Sequence, residues 1–413
     1  MNVSVVNLGC KVNRVESDTI ALSYQGKGDR LTSVADADVV VVNTCTVTEE
    51  ADKKTRKTIR RVLRANPSAK VLVTGCAASI DPGFFEQLDE RICVVDKIDL
   101  LDEGESALAA KADTLVRVGD YFPSRVSLKV QDGCNHSCTY CIVHVARGRA
   151  WSKPADAVLQ EAVSLADVGA KELVLTGIDL GSYCYGTGAS RVRLGELVQR
   201  TLAALDESGH PDVRLRIGSV EPCSLDSSFI EVMARSNGRV CRHLHLPLQS
   251  GSTKVLQEMN RPYSAERFLD IAADLKRQVP GISLTTDIIV GFPGETDDDF
   301  EQTCQVAKEV GFSKIHVFRY SRRKGTPAAE RTDQVAAQVK EERSHRLSAL
   351  CHELRHAYAR SQLGQKERIA VEQDGLGMSE SYFRVRVPEG VAPGALVERK
   401  LVGLDESDLS FFS

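Results

Sequence analysis

Short apolar runs alternate with amphipathic stretches through the first hundred residues. Residues 3–8 form one run, 39–42 are four consecutive valines and 71–74 form a third, the pattern of strands buried on both faces of a parallel sheet. Between them, 12–25 reads as a helix. A second helix is predicted to begin at the capping-box pattern Thr46-Val-Thr-Glu49 and to stop near Asn66-Pro67. Strand, helix, strand in this order predicts a doubly wound α/β domain. From about 125 to 325 the alternation resumes, with strand-like runs at 126–130, 172–176, 213–217, 243–248, 284–290 and 314–319. Six such units predict a partial or full β/α barrel, with function on the loops after its strands.

The periodicity changes twice more. Residues 333–360 are a charged helical stretch, and beyond Gly364 the runs 368–373, 382–387 and 395–402 are short and separated by Gly/Pro turns. A small all-β barrel is the expectation there. The chain is thus expected to divide into 1–110, 120–332, a helical connector at 333–363, and 364–413, with 101–120 as a linker.

Composition adds limits. A length of 413 residues allows several domains, and 53 basic against 57 acidic residues give a net charge of −4, which excludes a generally basic coat for nucleic acid but not a local patch. No apolar run approaches the roughly 18 residues of a membrane helix. The start, Met1-Asn2-Val3-Ser4, carries no positive segment leading into an apolar one, so a cytoplasmic protein without a membrane partner is expected. The twelve cysteines then point to metal binding or catalysis rather than disulfides.

Six of the twelve fall into two trios. Cys134-Asn-His-Ser-Cys138-Thr-Tyr-Cys141 places three thiols in one short loop after the first barrel strand, able to take three corners of an iron–sulfur cube and leave the fourth iron open. The alternative is a structural zinc loop completed by His136 or His144. Cys10, Cys45 and Cys76 each follow a strand of the first domain, so a parallel sheet would bring them to one edge. Singly, each would be a buried small hydrophobe. Cys93, Cys184, Cys223, Cys241, Cys304 and Cys351 show no ligand spacing and read as structural, with Cys184 and Cys223 nearest the active-site loops.

The C-x3-C-x2-C loop with Tyr140 before its last cysteine resembles the radical S-adenosylmethionine (SAM) superfamily. The resemblance implies a 4Fe–4S cluster on Cys134, Cys138 and Cys141, whose open iron chelates SAM and splits it to a 5′-deoxyadenosyl radical, with Tyr140 near the adenine. The words Leu8-Gly-Cys10-Lys-Val-Asn13, Asn43-Thr-Cys45-Thr-Val-Thr48 and Thr74-Gly-Cys76 resemble the methylthiotransferases, which carry a second 4Fe–4S cluster on such a trio, and the chain's end resembles a TRAM domain. Glu16-Ser17, Ala51-Asp52 and Arg56 are most similar to the threonylcarbamoyladenosine branch rather than the isopentenyladenosine or ribosomal-protein branches. The implied activity is methylthiolation of carbon 2 of N6-threonylcarbamoyladenosine beside the tRNA anticodon, a second SAM giving the methyl group and sulfur arriving from, or through, the second cluster.

Four further strand-end motifs carry the expected SAM contacts. They are Thr176-Gly-Ile-Asp-Leu-Gly-Ser-Tyr183, Arg216-Ile-Gly-Ser-Val-Glu-Pro222, His245-Leu-Pro-Leu-Gln-Ser-Gly251 and Asp287-Ile-Ile-Val-Gly-Phe-Pro-Gly-Glu295. Within them Gly177, Ser219, Glu221, Gln249 and Gly291 join Tyr140 as cofactor-binding candidates, the glycines allowing close approach and Glu221 or Gln249 binding hydroxyls or the amine. Arg322 stands where relatives tend to carry proline. No residue is assigned as a catalytic acid or base.

RNA contact is expected from three regions. Lys53, Lys57, Arg60 and Arg64 share a helix face opposite Ile59, Val62 and Leu63, either as a solvated face or as a phosphate stripe. Arg319, Arg322, Arg323 and Lys324 form a second cluster, and Tyr382, Phe383, Arg384 and Arg386 could stack and bind phosphate, although Phe383 could equally be core. A reductant protein and a sulfur donor are required but not identified. The competing readings are methylthiolation of another tRNA adenosine or of a ribosomal protein side chain, and a non-catalytic iron–sulfur RNA-binding protein.

Overall fold

The computed structural model describes residues 1–46, 48–100, 125–373 and 375–413. The expected linker, 101–120, lies outside the described residues. The first unit is a five-stranded parallel sheet: β1 (Asn2–Asn7), β2 (Arg30–Leu31), β3 (Val39–Thr44), β4 (Lys70–Gly75) and β5 (Ile92–Val94), in the order β2-β1-β3-β4-β5. The valines of β3 are buried on both faces because helices cover both. Val40 and Val42 pack with Ile59 of α2 (Glu49–Ala65), whereas Val41 packs with Ile20 of α1 (Lys11–Gly26). The cap of α2 is Thr48, whose hydroxyl accepts from Ala51 N, rather than the Thr46 expected from the pattern.

This strand order reverses direction between β1 and β3, and the crevice at the carboxyl ends of such a pair is where open α/β sheets bind ligands. Cys10 follows β1, Cys45 follows β3, and Cys76 opens α3 (Cys76–Ile80) directly after β4.

The second unit is the expected partial barrel. Parallel strands β6 (Arg125–Lys129), β9 (Glu172–Thr176) and β12 (Arg214–Ile217) form one half. Strands β13 (His243–His245), β14 (Ser283–Val290) and β15 (Lys314–Arg319) form the other, and the bridges Leu215↔Val240 and Ser219↔His245 join the halves. Small ribbons, β7 (Gln131–Asp132) with β8 (Trp151–Ser152) and β10 (Cys184–Tyr185) with β11 (Val192–Arg193), decorate the rim. Leu128, Leu173, Leu215, Leu244 and Leu284 from successive strands share one core, which extends to Leu347 and Leu350 of the connector helix Ala337–Ser361.

The C-terminal sheet comprises β16 (Lys366–Val371), β17 (Leu376–Ser379), β18 (Arg384–Arg386), β19 (Leu396–Lys400), β20 (Gly403–Leu404) and β21 (Phe411–Phe412), ordered β19-β16-β17-β18-β21-β20 around Ile369, Val371, Val385 and Phe411. Phe383 belongs to this core, 2% exposed, and is not available for base stacking.

A buried charge cluster fastens the sheet to the barrel. Glu172 pairs with Arg214 and Arg216, each at 2.6 Å, and their remaining donors reach the carbonyls of Arg368, Met378, Ser379 and Glu380. All three charges are fully buried, so every N–H must find an acceptor there. Among the described residues, no helix is long and apolar enough to cross a membrane.

Candidate active site

The loop after β6 is shaped by its own backbone. Gly133 has φ +68 and runs so close to the returning strand that a Cβ would lie 2.1 Å from Arg149 O, and Cys134 N donates to Gly148 O at 3.2 Å. The loop turns its three sulfurs toward N–H donors. His136 N points at Cys134 Sγ at 3.4 Å, Val143 N at Cys141 Sγ at 3.4 Å, and Arg261 Nη1 at Cys138 Sγ at 3.3 Å. Burial pushes the Cys141 thiol up to about 11, with the neighbouring cysteines adding to the shift. Unmetallated, it is a protonated thiol at neutral pH, and a bound cation makes it a thiolate. One donor per sulfur suits three thiolate ligands on separate iron corners.

Among the described residues, no three His, Cys, Asp or Glu side chains gather closely enough to share a single metal ion. His136, one candidate fourth zinc ligand, sits with Nε2 3.2 Å from Asp179, and that hydrogen bond raises its pKa.

The expected SAM contacts come to the neighbouring strand ends. Tyr140 packs against Val255, Met259, Phe292 and Tyr320 beside the cysteine loop. Gly177 follows β9, and a Cβ there would meet Gln131 Oε1 at 2.7 Å, the atom that accepts from Ile178 N and Asp179 N. Ser219 O accepts from Leu180 N. Glu221 contacts Arg261 through Oε2, while its Oε1 is buried without a partner, an acceptor left free for a bound amine or hydroxyl. Gln249 takes a φ of +66, uncommon for a residue with a side chain, and is held by Asp287 O and Ile289 N. Gly291 is placed differently. Its amide donates to Glu295 at 2.9 Å, and its Cα faces Lys340 of the connector helix, where a Cβ would lie 2.3 Å from Cγ.

The second trio meets at the edge of the first sheet. At Gly9 (φ +101) a Cβ would be 2.8 Å from Cys45 Sγ, and at Gly75 (φ +93) it would be 2.4 Å from Asn43 Oδ1. Both glycines are therefore required by direction and by space, and they form a cradle that a methyl group would fill. Asn13 Nδ2 donates to Leu8 O and Thr44 O, both at 2.8 Å, while Asn43 Nδ2 donates to Asn13 O at 3.0 Å, lashing the ends of β1 and β3 together. Cys10 lies near enough to Cys76 to oppose its ionisation. Burial pushes the Cys76 thiol up, while Arg147 and Lys97 pull it back.

Sequence reasoning missed the residues that join the trios. Arg147, at the end of the short helix Val143–Arg147 just beyond Cys141, has a side chain only 2% exposed. It donates to Glu16 at 2.9 Å and to Asp132 at 2.9 and 3.0 Å, and it contacts Asn13. Burial would raise the Glu16 carboxyl, but Arg147, Lys129 and Lys97 outweigh it and hold Glu16 well below the usual carboxylate range. The helix Val143–Arg147 packs on α3, so the element after Cys141 touches the element that begins at Cys76. The only signals in the sequence were an Arg-Gly pair after the loop and Glu16, noted for its branch resemblance alone.

Two other expectations change. Arg323 is not a free basic residue but contacts Asp52 of α2 across the domain junction. Arg386 is paired with Asp405 and Asp408. Of the six unassigned cysteines, Cys241 and Cys304 are core, whereas Cys184 and Cys223 are exposed. On α2, Lys53, Arg56, Lys57, Arg60 and Arg64 line one open cleft.

Comparison with known proteins agrees with this architecture. The Radical SAM superfamily matches residues 128–307, and the uncharacterized protein family UPF0004 matches residues 2–98. The threonylcarbamoyladenosine tRNA methylthiotransferase MtaB of Bacillus subtilis is 40% identical over 86% of this chain and 82% of its own length. That of Chlamydia pneumoniae is 35% identical over 98% and 96%. The tRNA-2-methylthio-N(6)-dimethylallyladenosine synthase of Endomicrobium trichonymphae is 34% identical over 90% and 89%. In fold, the chain resembles the radical SAM methyltransferase TsrM from Kitasatospora setae, solved with cobalamin and a 4Fe–4S cluster, at a TM-score of 0.56 and 17% identity, covering 79% of this chain and 77% of that one. The chain belongs to the radical S-adenosylmethionine methylthiotransferase family and is an enzyme of that class.

Proposed function

We propose that this enzyme converts N6-threonylcarbamoyladenosine beside the tRNA anticodon into its 2-methylthio derivative, with SAM and two 4Fe–4S clusters as cofactors. Cys134, Cys138 and Cys141 would hold one cluster, and Cys10, Cys45 and Cys76 the other. Bound there, the first cluster and SAM supply the one-electron chemistry that an unactivated aromatic C–H bond requires. In this reading residues 1–110 carry the second cluster, 120–332 the radical chemistry and 364–413 an RNA contact, with 333–363 connecting them. An external protein supplies electrons.

The chain's own residues have separable tasks. Arg261 orders Glu221 and donates to Cys138 Sγ, so the free Glu221 Oε1 is held where an amine can meet it. Asp179 fixes His136 and accepts from Glu221 N at 3.2 Å, tying two strand-end loops to the cysteine loop. Arg147, Glu16 and Asp132 hold the two trios at one separation and keep water out of their junction. The observation that carries the reading is this junction. An ion-paired arginine six residues beyond Cys141 reaches the helix that begins after Cys10, and its own helix packs on the one beginning at Cys76.

The substrate assignment rests on the similarity to the threonylcarbamoyladenosine enzymes of several bacteria. Mass spectrometry of tRNA nucleosides from a strain lacking the gene tests it. The 2-methylthio derivative should disappear, threonylcarbamoyladenosine should accumulate, and the wild-type gene should restore the product while Cys45→Ala does not. Loss of 2-methylthio-dimethylallyladenosine instead would move the enzyme to the other branch.

A further inference from the structure

Three parts of the chain meet beside Cys10. Lys11 follows that cysteine and opens α1; it is exposed and has no hydrogen-bond acceptor or acidic partner among the described residues. Its ammonium lies 5.4 Å from the ring centroid of Tyr382, which the C-terminal sheet delivers from the turn between β17 and β18. Tyr382 is held there at φ +70, a strained position for an aromatic residue. Arg216 of β12 sits 5.0 Å from the same ring, and the His243 ring of β13 lies against it at 4.6 Å. The other cations around this ring are committed, Arg125 to Glu372 and Arg216 to Glu172 and two carbonyls. Lys11 is therefore an unmatched positive charge at the wall shared by sheet, barrel and C-terminal domain, next to a proposed cluster ligand.

We propose that Lys11 and Tyr382 form an anion subsite that binds the carboxylate on the N6 substituent of the substrate adenosine. The inference rests on the threonylcarbamoyl reading, because that group carries a carboxylate which a dimethylallyl group lacks. An ammonium offers it a charge-assisted hydrogen bond, and the phenol adds a second donor. The site then rewards the correct substituent rather than the adenine, and recognition of the modified base falls partly to the C-terminal sheet. Such a site rejects an analogue without the partner group strongly, because its own polar groups would be left unpaired.

The test uses the full chain, reconstituted anaerobically with iron and sulfide, and three anticodon stem–loop RNAs. These differ only at the target base, which is threonylcarbamoyladenosine, its carboxamide analogue or unmodified adenosine. The wild type should bind the carboxylate loop about tenfold or more tighter than the carboxamide loop. Lys11→Gln should erase that preference and leave carboxamide binding unchanged, while Lys11→Arg keeps it. If Lys11→Gln fails to load iron as the wild type does, Tyr382→Phe serves in its place and should reduce the preference several-fold. Weakening of all three RNAs alike would assign Lys11 to a backbone phosphate and overturn the subsite, as would a preference that survives Lys11→Gln and Tyr382→Phe. A wild type that neither prefers nor methylthiolates the threonylcarbamoyl loop would overturn the substrate reading and the subsite with it.

Discussion

The two cysteine trios are built by opposite means. Cys134, Cys138 and Cys141 belong to one loop, whose own amides and Arg261 face the sulfurs. Cys10, Cys45 and Cys76 come from three strands, and they meet only because β1, β3 and β4 lie side by side in register. The first trio is a local object that a small segment specifies. The second is a product of tertiary structure, and it should fail when a distant strand shifts.

The largest expected effect separates their roles. Cys138→Ala should reduce 5′-deoxyadenosine formation from SAM to background, whereas Cys45→Ala should leave SAM cleavage and abolish the methylthio product; chromatography of both products distinguishes the cases. If Cys45→Ala also loses cleavage, the trios are not functionally distinct.

Arg147→Gln comes next. It leaves the buried Glu16 without its principal cation and takes one of two from Asp132, which keeps Lys129, a loss of about 3–5 kcal/mol. Chemical denaturation should show it, together with loosened packing between the first sheet and the barrel. A change under about 1 kcal/mol would mean that Lys129 and Lys97 suffice for the junction.

Gly75→Ala should act more narrowly. Its φ of +93 and the clash with Asn43 Oδ1 and Thr44 O predict a cost of about 1–3 kcal/mol, confined to the sheet edge. Iron on the second trio should fall while the barrel trio keeps its share. Equal loss from both would erase the contrast between local and assembled sites.

The smallest effect concerns the open basic face of α2. Lys57→Glu with Arg60→Glu should weaken tRNA binding several-fold and flatten its salt dependence, with both clusters intact. Unchanged affinity would make that face a solvated surface only.

This contrast also explains what the sequence could disclose. Spacing within one loop identified the barrel trio directly, and the valine run of β3 located a doubly covered strand. The Gly-Cys words marked the second trio because a positive φ at Gly9 and Gly75 leaves its trace as a residue type. The joining residues left no such trace. Arg147 reads as one arginine among many until Glu16 and Asp132 are placed around it, and Arg323 looked like an RNA contact until Asp52 met it. Pairing between elements far apart in the chain depends on how domains dock, which periodicity does not encode. Phe383 and Tyr382 show the same limit: adjacent aromatics of one segment, one in the core and the other turned toward Lys11 and Arg216.

In the proposed enzyme both trios hold clusters in one chain. Iron analysis with Mössbauer spectroscopy on the anaerobically reconstituted full-length protein tests it most directly. Two occupied sites give about eight irons per chain, all in 4Fe–4S form, falling to about four in a Cys10, Cys45, Cys76→Ala triple variant. About four irons in the wild type, unchanged by that triple substitution, would contradict it.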